Sequence, residues 1–113
     1  MFRGEIRLTN LEPTIGAKMR KIRPVVIVND DETGTLPLRI VVPITDWKDH
    51  YEEILWMVKT VPDEENKLKK TSAIDTFQIR CVSEERFIKR IGRVSNKILE
   101  EMTTTLAKVL QIK

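Results

Sequence analysis

The sequence predicts an α+β, strand-rich fold: a small curled sheet or barrel with a C-terminal helix. Three observations carry this. Two runs of β-branched residues, 24–29 and 37–44, are each bounded by turn-forming residues. Residues 4–9 alternate polar and apolar. A long apolar stripe at helical spacing occurs only near the C-terminus.

Gly4 to Thr9 alternates and reads as a half-buried strand. Asn10 to Ile22, with Pro13, Gly16 and scattered charge, shows no period and reads as a long exposed loop. Pro24 to Asn29 is a continuous apolar run, the pattern of a strand buried on both faces. Asp30 to Leu36 contains Asp-Asp-Glu-Thr-Gly and predicts a turn. Pro37 to Ile44 is the second core strand. Pro43 stops ladder donation near its end, so Thr45 emerges at the rim of the sheet. Asp46 to Glu53 is polar and irregular. Glu53 to Val61 fits helix or strand; its β-branched content and the following Pro62 select strand.

Pro62 to Lys70 is a charged loop, and Ser72 to Val82 reads as another strand. Ser83-Glu84-Glu85 has the form of a helix start, a capping serine followed by acids. It predicts a short helix to about Ile91, broken by Gly92. Ser95 caps the last helix, Asn96 to about Leu110. Its stripe of Ile98, Leu99, Met102, Leu106, Val109 and Leu110 must pack on a neighbour.

With 113 residues the chain has room for one domain, 1–113, and one core. It is 41% hydrophobic and 33% charged, a globular composition, and its 5% of aromatics leaves the core to Ile, Val and Leu. No apolar run spans a membrane, and the N-terminus enters a strand pattern at once, so a cytoplasmic protein without membrane attachment is expected. One cysteine excludes an intrachain disulfide and fits a reducing compartment. The net charge of +3 is a mild excess, compatible with nucleic acid. Its bases cluster at 18–23, at Lys67, Lys69 and Lys70, and at Arg86, Lys89, Arg90 and Arg93.

Several chemistries are excluded. One histidine, His50, provides no His pair for acid and base work, and one histidine with one cysteine cannot build a zinc site of normal spacing. No Gly-rich phosphate loop occurs. Cys81 lies in an apolar strand and reads as a buried, inert thiol. His50, between Asp49 and Tyr51, reads as solvated. What remains are polar residues at strand ends: Arg23 before the first core strand, Thr45 after the second, and Gln78 with Arg80, which share a strand face two residues apart. An edge strand with its polar face in water accounts for the last pair. Two guanidinium forks, a hydroxyl and an amide are also the groups that hold a phosphate.

These residues carry a resemblance. Glu12-Pro13-Thr14-Ile15-Gly16, then Arg23-Pro24-Val25-Val26-Ile27-Val28, is similar to the first half of the MazF/PemK toxins. Val42-Pro43-Ile44-Thr45, then Leu68-Lys69-Lys70-Thr71-Ser72 with Gln78-Ile79-Arg80, and finally Arg90-Ile91-Gly92-Arg93-Val94-Ser95 with Leu99-Glu100-Glu101, resemble their later blocks in order. The resemblance covers essentially the whole chain. It implies an SH3-like barrel with a C-terminal helix, a homodimer, and a cognate antitoxin of MazE type that lays an acidic, extended segment along the toxin. Trp47, Trp56 and Met57 are candidate dimer contacts, although Trp56 is read first as a core residue. The resemblance further implies a sequence-specific endoribonuclease that cuts single-stranded RNA, usually mRNA, with Arg23 and Thr45 in the catalytic positions.

Two acids frequent in that family are replaced, by Lys18 in the first loop and by Phe77 before the strand glutamine. Asp75, on the same strand face as Phe77, is the nearest carboxylate to substitute. Phe77 offers a ring to stack on a base. The implied reaction is attack of the RNA 2′-hydroxyl on the adjacent phosphorus, giving a 2′,3′-cyclic phosphate and a 5′-hydroxyl without a metal or other cofactor. In it Arg23 acts as an electrostatic clamp and Thr45 as a hydroxyl donor to the phosphate. Gln78 and Arg80 support the pocket or touch flanking nucleotides. Lys18, Arg20 and Lys21, with Lys69 and Lys70, hold the backbone. Two alternatives stay open: a gyrase-inhibiting toxin of CcdB type with the same architecture, and a non-catalytic RNA-binding module.

Overall fold

The computed structural model describes residues 1–11, 21–33 and 36–113. The strands are β1 (Glu5–Asn10), β2 (Ile22–Ile27), β3 (Leu38–Asp46), β4 (Met57–Thr60), β5 (Ser72–Asp75), β6 (Arg80–Ser83) and β7 (Phe87–Arg93). One helix, α1 (Asn96–Val109), follows. Short 3₁₀ turns occupy Asp31–Thr33, Asp49–Glu53, Thr76–Gln78 and Glu84–Arg86. The long loop expected over 10–22 lies largely outside the described residues.

All pairings are antiparallel and form one path, β4-β5-β3-β2-β1-β7, with β6 also on β3. No pairing among the described residues joins β4 to β7. The sheet is therefore curled and open, and of the two forms expected the closed barrel is not the one observed.

β2 is buried on both faces, as its unbroken apolar run predicts. Val25, Val26 and Ile27 have no exposed surface. Val26 packs with Ile6, Val42, Ile44, Val58, Ile74 and Val94 beneath Met102 of α1. Val25 and Ile27 point the other way, to Leu11, Val41 and Val82. The helix is fixed at both scales. Ser95 Oγ accepts from the Ile98 N–H at 3.2 Å, and Met102 is fully buried, a contribution of roughly 1.5–3 kcal/mol.

Several expectations need correction. The helix predicted over 83–91 is a single turn, Glu84–Arg86. Ser83 does cap it, accepting from the Glu85 N–H at 3.4 Å. Phe87 to Arg93 then joins β1 as β7, with Glu5 opposite Arg93 and Ile6 opposite Gly92, so tertiary pairing overrides the local start signal. Gly92 is no helix breaker but a close-contact residue inside that strand: a Cβ there would lie 2.3 Å from the Glu65 carbonyl oxygen and 2.7 Å from that of Asn66.

Cys81 is exposed rather than buried. Val82 beside it fills the core, and strand alternation turns Cys81 outward. Trp56 is 37% exposed and packs its ring on that of Phe77, 5.2 Å away, not in the core.

The strand expected over 72–82 is two strands with a turn between them, and the break positions the site. β3 pairs Ile44 with Ile74 and Val41 with Arg80. Between these pairs β3 advances by Val42 and Pro43 while its neighbour passes Asp75 to Ile79, three residues too many. Ile40 directs its N–H to Asn29 Oδ1 and its C=O to the Val28 N–H, both on the β2 side. Alternation then puts the Pro43 nitrogen on the β5/β6 edge. A nitrogen without hydrogen leaves no donor for the ladder there, and the surplus residues turn out as Thr76–Gln78.

Candidate active site

The end of β2 and the end of β3 meet. Val25 is opposite Pro43, and two residues further along the same register Arg23 faces Thr45. Arg23 Nη1 donates to Thr45 Oγ1 at 3.2 Å, in a half-buried setting. Among the described residues no carboxylate forms an ion pair with Arg23. Its charge is therefore free to hold an anion, and the remaining guanidinium hydrogens keep the fork geometry that suits a phosphate.

Two adjoining cavities share this pair. The first is lined by Leu11, Lys21, Arg23, Pro43, Ile44, Thr45, Tyr51, Met57, Asp75, Gln78 and Arg80. The second takes Lys21, Ile22, Pro24, Asp46 and Ser72 together with Arg23, Ile44 and Thr45. Arg23 and Thr45 thus line both cavities, as do Lys21 and Ile44.

The predicted residues separate into groups. Arg23, Thr45, Gln78, Arg80 and Lys21 come together in the first cavity. Gln78 and Arg80 do so by the inserted turn and the start of β6, not as neighbours on one continuous strand. Phe77 is 63% exposed and lines neither cavity; it meets Trp56 outside. Lys70 sits beside the second cavity, its Nζ 3.2 Å from Asp46 Oδ2. Both partners of that pair are largely exposed, so it contributes little. Lys69 is exposed and lines neither cavity. Lys18 and Arg20 lie outside the described residues.

Asp75 is buried at the cavity wall. Its Oδ2 accepts from Gln78 Nε2 at 2.8 Å and its Oδ1 from the Phe77 N–H at 3.2 Å. Tyr51, Met57 and Ser72 are lining residues that the sequence reading missed. Tyr51 comes from the Asp49–Glu53 turn, with its ring edge-on to Trp47 at 5.7 Å and against exposed His50 at 4.6 Å. An apolar ring inside the polar stretch 46–53 was the available signal. Of the candidate contact residues, Trp47 is half-buried beneath Lys59 Nζ, 5.0 Å from its ring, and Met57 belongs to the first cavity.

Comparison with known proteins gives the family and the fold. The family described as PemK-like, MazF-like toxin of type II toxin-antitoxin system matches residues 2–110. The chain is 30% identical to the endoribonuclease MazF9 of Mycobacterium tuberculosis over 114 aligned positions, covering 94% of this chain and 92% of that protein. It is 27% identical to the endoribonuclease MazF of Staphylococcus saprophyticus over 106, covering 94% and 88%. In fold it is similar to a MazE-MazF structure from Deinococcus radiodurans, with a TM-score of 0.79 at 17% identity, covering 100% of this chain and 97% of that one.

Proposed function

This chain belongs to the PemK-like, MazF-like family of type II toxin–antitoxin toxins, and from that premise we propose that it cleaves single-stranded RNA at the Arg23–Thr45 junction. The observation that carries the proposal is the 3.2 Å contact between Arg23 Nη1 and Thr45 Oγ1 at the point where the two cavities meet. The names of the curated relatives, both endoribonucleases, support the reaction class.

The reaction is transesterification. The 2′-oxygen bonds to phosphorus and gives up its proton, the P–O5′ bond breaks, and the 5′-oxygen takes a proton. The products are a 2′,3′-cyclic phosphate and a 5′-hydroxyl. Negative charge builds on the non-bridging oxygens in the transition state, where a fixed guanidinium and a hydroxyl lower the barrier most. Arg23 takes part as a fixed charge and a planar fork of N–H donors, not as a general base. Lys21 and Arg80 extend the positive lining along the strand's path. The nucleophile belongs to the RNA, so the protein's share is position and charge.

The messenger RNA of the cytoplasm is the natural substrate in this reading. The partners are a second copy of the chain and a MazE-type antitoxin. The solved structures of relatives that hold an antitoxin support the second partner. No helix of the described residues is long and apolar enough to cross a membrane.

The test is direct. Pure protein is incubated with a long structureless RNA in excess chelator, and the fragment ends are identified. Cyclic-phosphate and 5′-hydroxyl ends are expected, and a 2′-deoxy residue at the cut position should block cleavage. Cleavage that requires an added divalent ion, or that leaves 5′-phosphate ends, contradicts the proposal.

A further inference from the structure

Among the described residues, Asp75 is the sole carboxylate lining the cavity that holds Arg23, Gln78 and Arg80. It is buried, and both its oxygens are used. The Phe77 N–H fixes Oδ1 and the Gln78 side-chain amide nitrogen donates to Oδ2. An ionised carboxylate only accepts hydrogen bonds. The NH₂ end of Gln78 must therefore face Asp75, and the amide cannot turn over without setting two acceptors against each other. That leaves the Gln78 carbonyl oxygen and one amide hydrogen in a fixed order at the cavity.

Base edges in single-stranded RNA are open and are read in this way. Adenine and cytosine present an exocyclic amino donor beside a ring-nitrogen acceptor. Guanine and uracil present an exocyclic carbonyl acceptor beside a ring N–H donor, the reverse order. An amide free to rotate suits both orders; a locked one suits one.

We infer that Asp75 is a positioning residue that locks the Gln78 amide, so that the cleft sorts amino bases (adenine, cytosine) from keto bases (guanine, uracil) at one nucleotide next to the cut. The inference rests on the proposed RNA cleavage and names the specificity device of that site. Phe77, which stands before the glutamine, contributes its backbone N–H to the lock and keeps its ring outside.

The experiment uses short RNAs carrying each of the four bases in turn at every position around a mapped cut, cleaved by wild type, Asp75→Asn and Gln78→Ala. Wild type should group adenine with cytosine against guanine with uracil at one position, by roughly 5- to 150-fold, the range of a bidentate side chain–base pair. Asn accepts from the Phe77 N–H as Asp does, but its Nδ2 only donates, so the glutamine amide must turn its carbonyl oxygen towards residue 75. Asp75→Asn should therefore keep the melting temperature while the preference shifts from adenine and cytosine towards guanine and uracil. Gln78→Ala, which leaves the Asp75 turn contact in place, should lose the sorting altogether. A ratio unchanged in either variant overturns the inference, as does a wild type that cuts without amino-against-keto sorting. A wild type that cuts none of the RNAs overturns the proposed function itself, and this inference with it.

Discussion

Arg23 and Thr45 lie at the ends of two neighbouring strands, and their side chains meet at 3.2 Å in the lining of two cavities. The pairing follows from register: Val25 opposite Pro43 places Arg23 opposite Thr45. In that position the hydroxyl orients the guanidinium, and in the proposed reaction both groups turn to the phosphate.

Thr45 should tolerate serine and not valine. Thr45→Ser keeps the hydroxyl, and its cleavage rate should stay within about threefold of wild type. Thr45→Val keeps the shape and removes the hydrogen bond to a charged group, an effect of roughly 1.5–3 kcal/mol, so cleavage should fall roughly tenfold to a hundredfold. Single-turnover cleavage of one RNA by the three proteins is the check. Equal rates for valine and threonine would remove Thr45 from the site.

RNA affinity should fall with salt. The exposed cations at the cleft, Lys21 and Arg80, have no ion-pair partner among the described residues. Each phosphate they neutralise should contribute about −0.7 to the slope of log K against log salt for a single strand. Lys21→Ala should reduce the slope by about that amount and lower affinity for all sequences alike. A titration of an uncleavable 2′-deoxy oligonucleotide at several salt concentrations measures it.

Gly92→Ala should destabilise the fold without touching the chemistry. The new methyl would sit 2.3 Å from the Glu65 carbonyl oxygen, on backbone that is anchored by the Arg93 N–H to that same oxygen at 3.0 Å. The cost of such overpacking is roughly 1–3 kcal/mol, a drop of several degrees in melting temperature, while the rate per folded molecule stays unchanged. A variant as stable as wild type would show that the Glu65–Asn66 loop yields freely.

Acid stability should depend on Glu5. Burial acts to raise its pKa, but the Arg7 hydrogen bond, the Phe2 backbone contact and the charges of Arg7 and the N-terminus together outweigh burial and hold it below the ordinary 4.5. Arg7 Nη2 is 2.8 Å and Arg90 Nε 3.8 Å from the carboxylate. A depressed carboxylate contributes stability that is present above its unfolded-state value and is lost as pH falls through the folded one. Unfolding free energy should therefore decline below pH 4.5 in wild type. In Glu5→Gln it should be lower by roughly 1–3 kcal/mol at neutral pH, with a shallower acid limb. Denaturant melts of both proteins across the acid range would reveal parallel curves if Glu5 had no part.

Most strands were legible because burial and backbone pattern coincide in them. The run at 25–27 could only be a strand buried on both faces, and Ser95 with the Ile98–Leu106 stripe could only be a capped amphipathic helix. The misread segments 83–91 and 72–82 share a cause. Ser83-Glu84-Glu85 carries a true local cap, but five residues paired with β1 outweigh one turn of helix. The break at Thr76–Gln78 is dictated from across the sheet by Pro43, so nothing inside 72–82 announces it. The same non-local effect explains the site. Arg23 and Thr45 were readable as strand ends. The Asp75–Gln78 bond exists only because the inserted turn folds Gln78 back, and a continuous strand would have put the two residues on opposite faces.

If Arg23 stabilises the charge that forms during cleavage, its removal must slow the reaction without unfolding the protein. Wild type and Arg23→Ala are incubated with the same structureless RNA in excess chelator under single-turnover conditions, with melting temperatures measured in parallel. A loss of roughly a hundredfold to a thousandfold or more in rate is expected for Arg23→Ala, with the fold intact. A folded Arg23→Ala protein that cuts at the wild-type rate would contradict it.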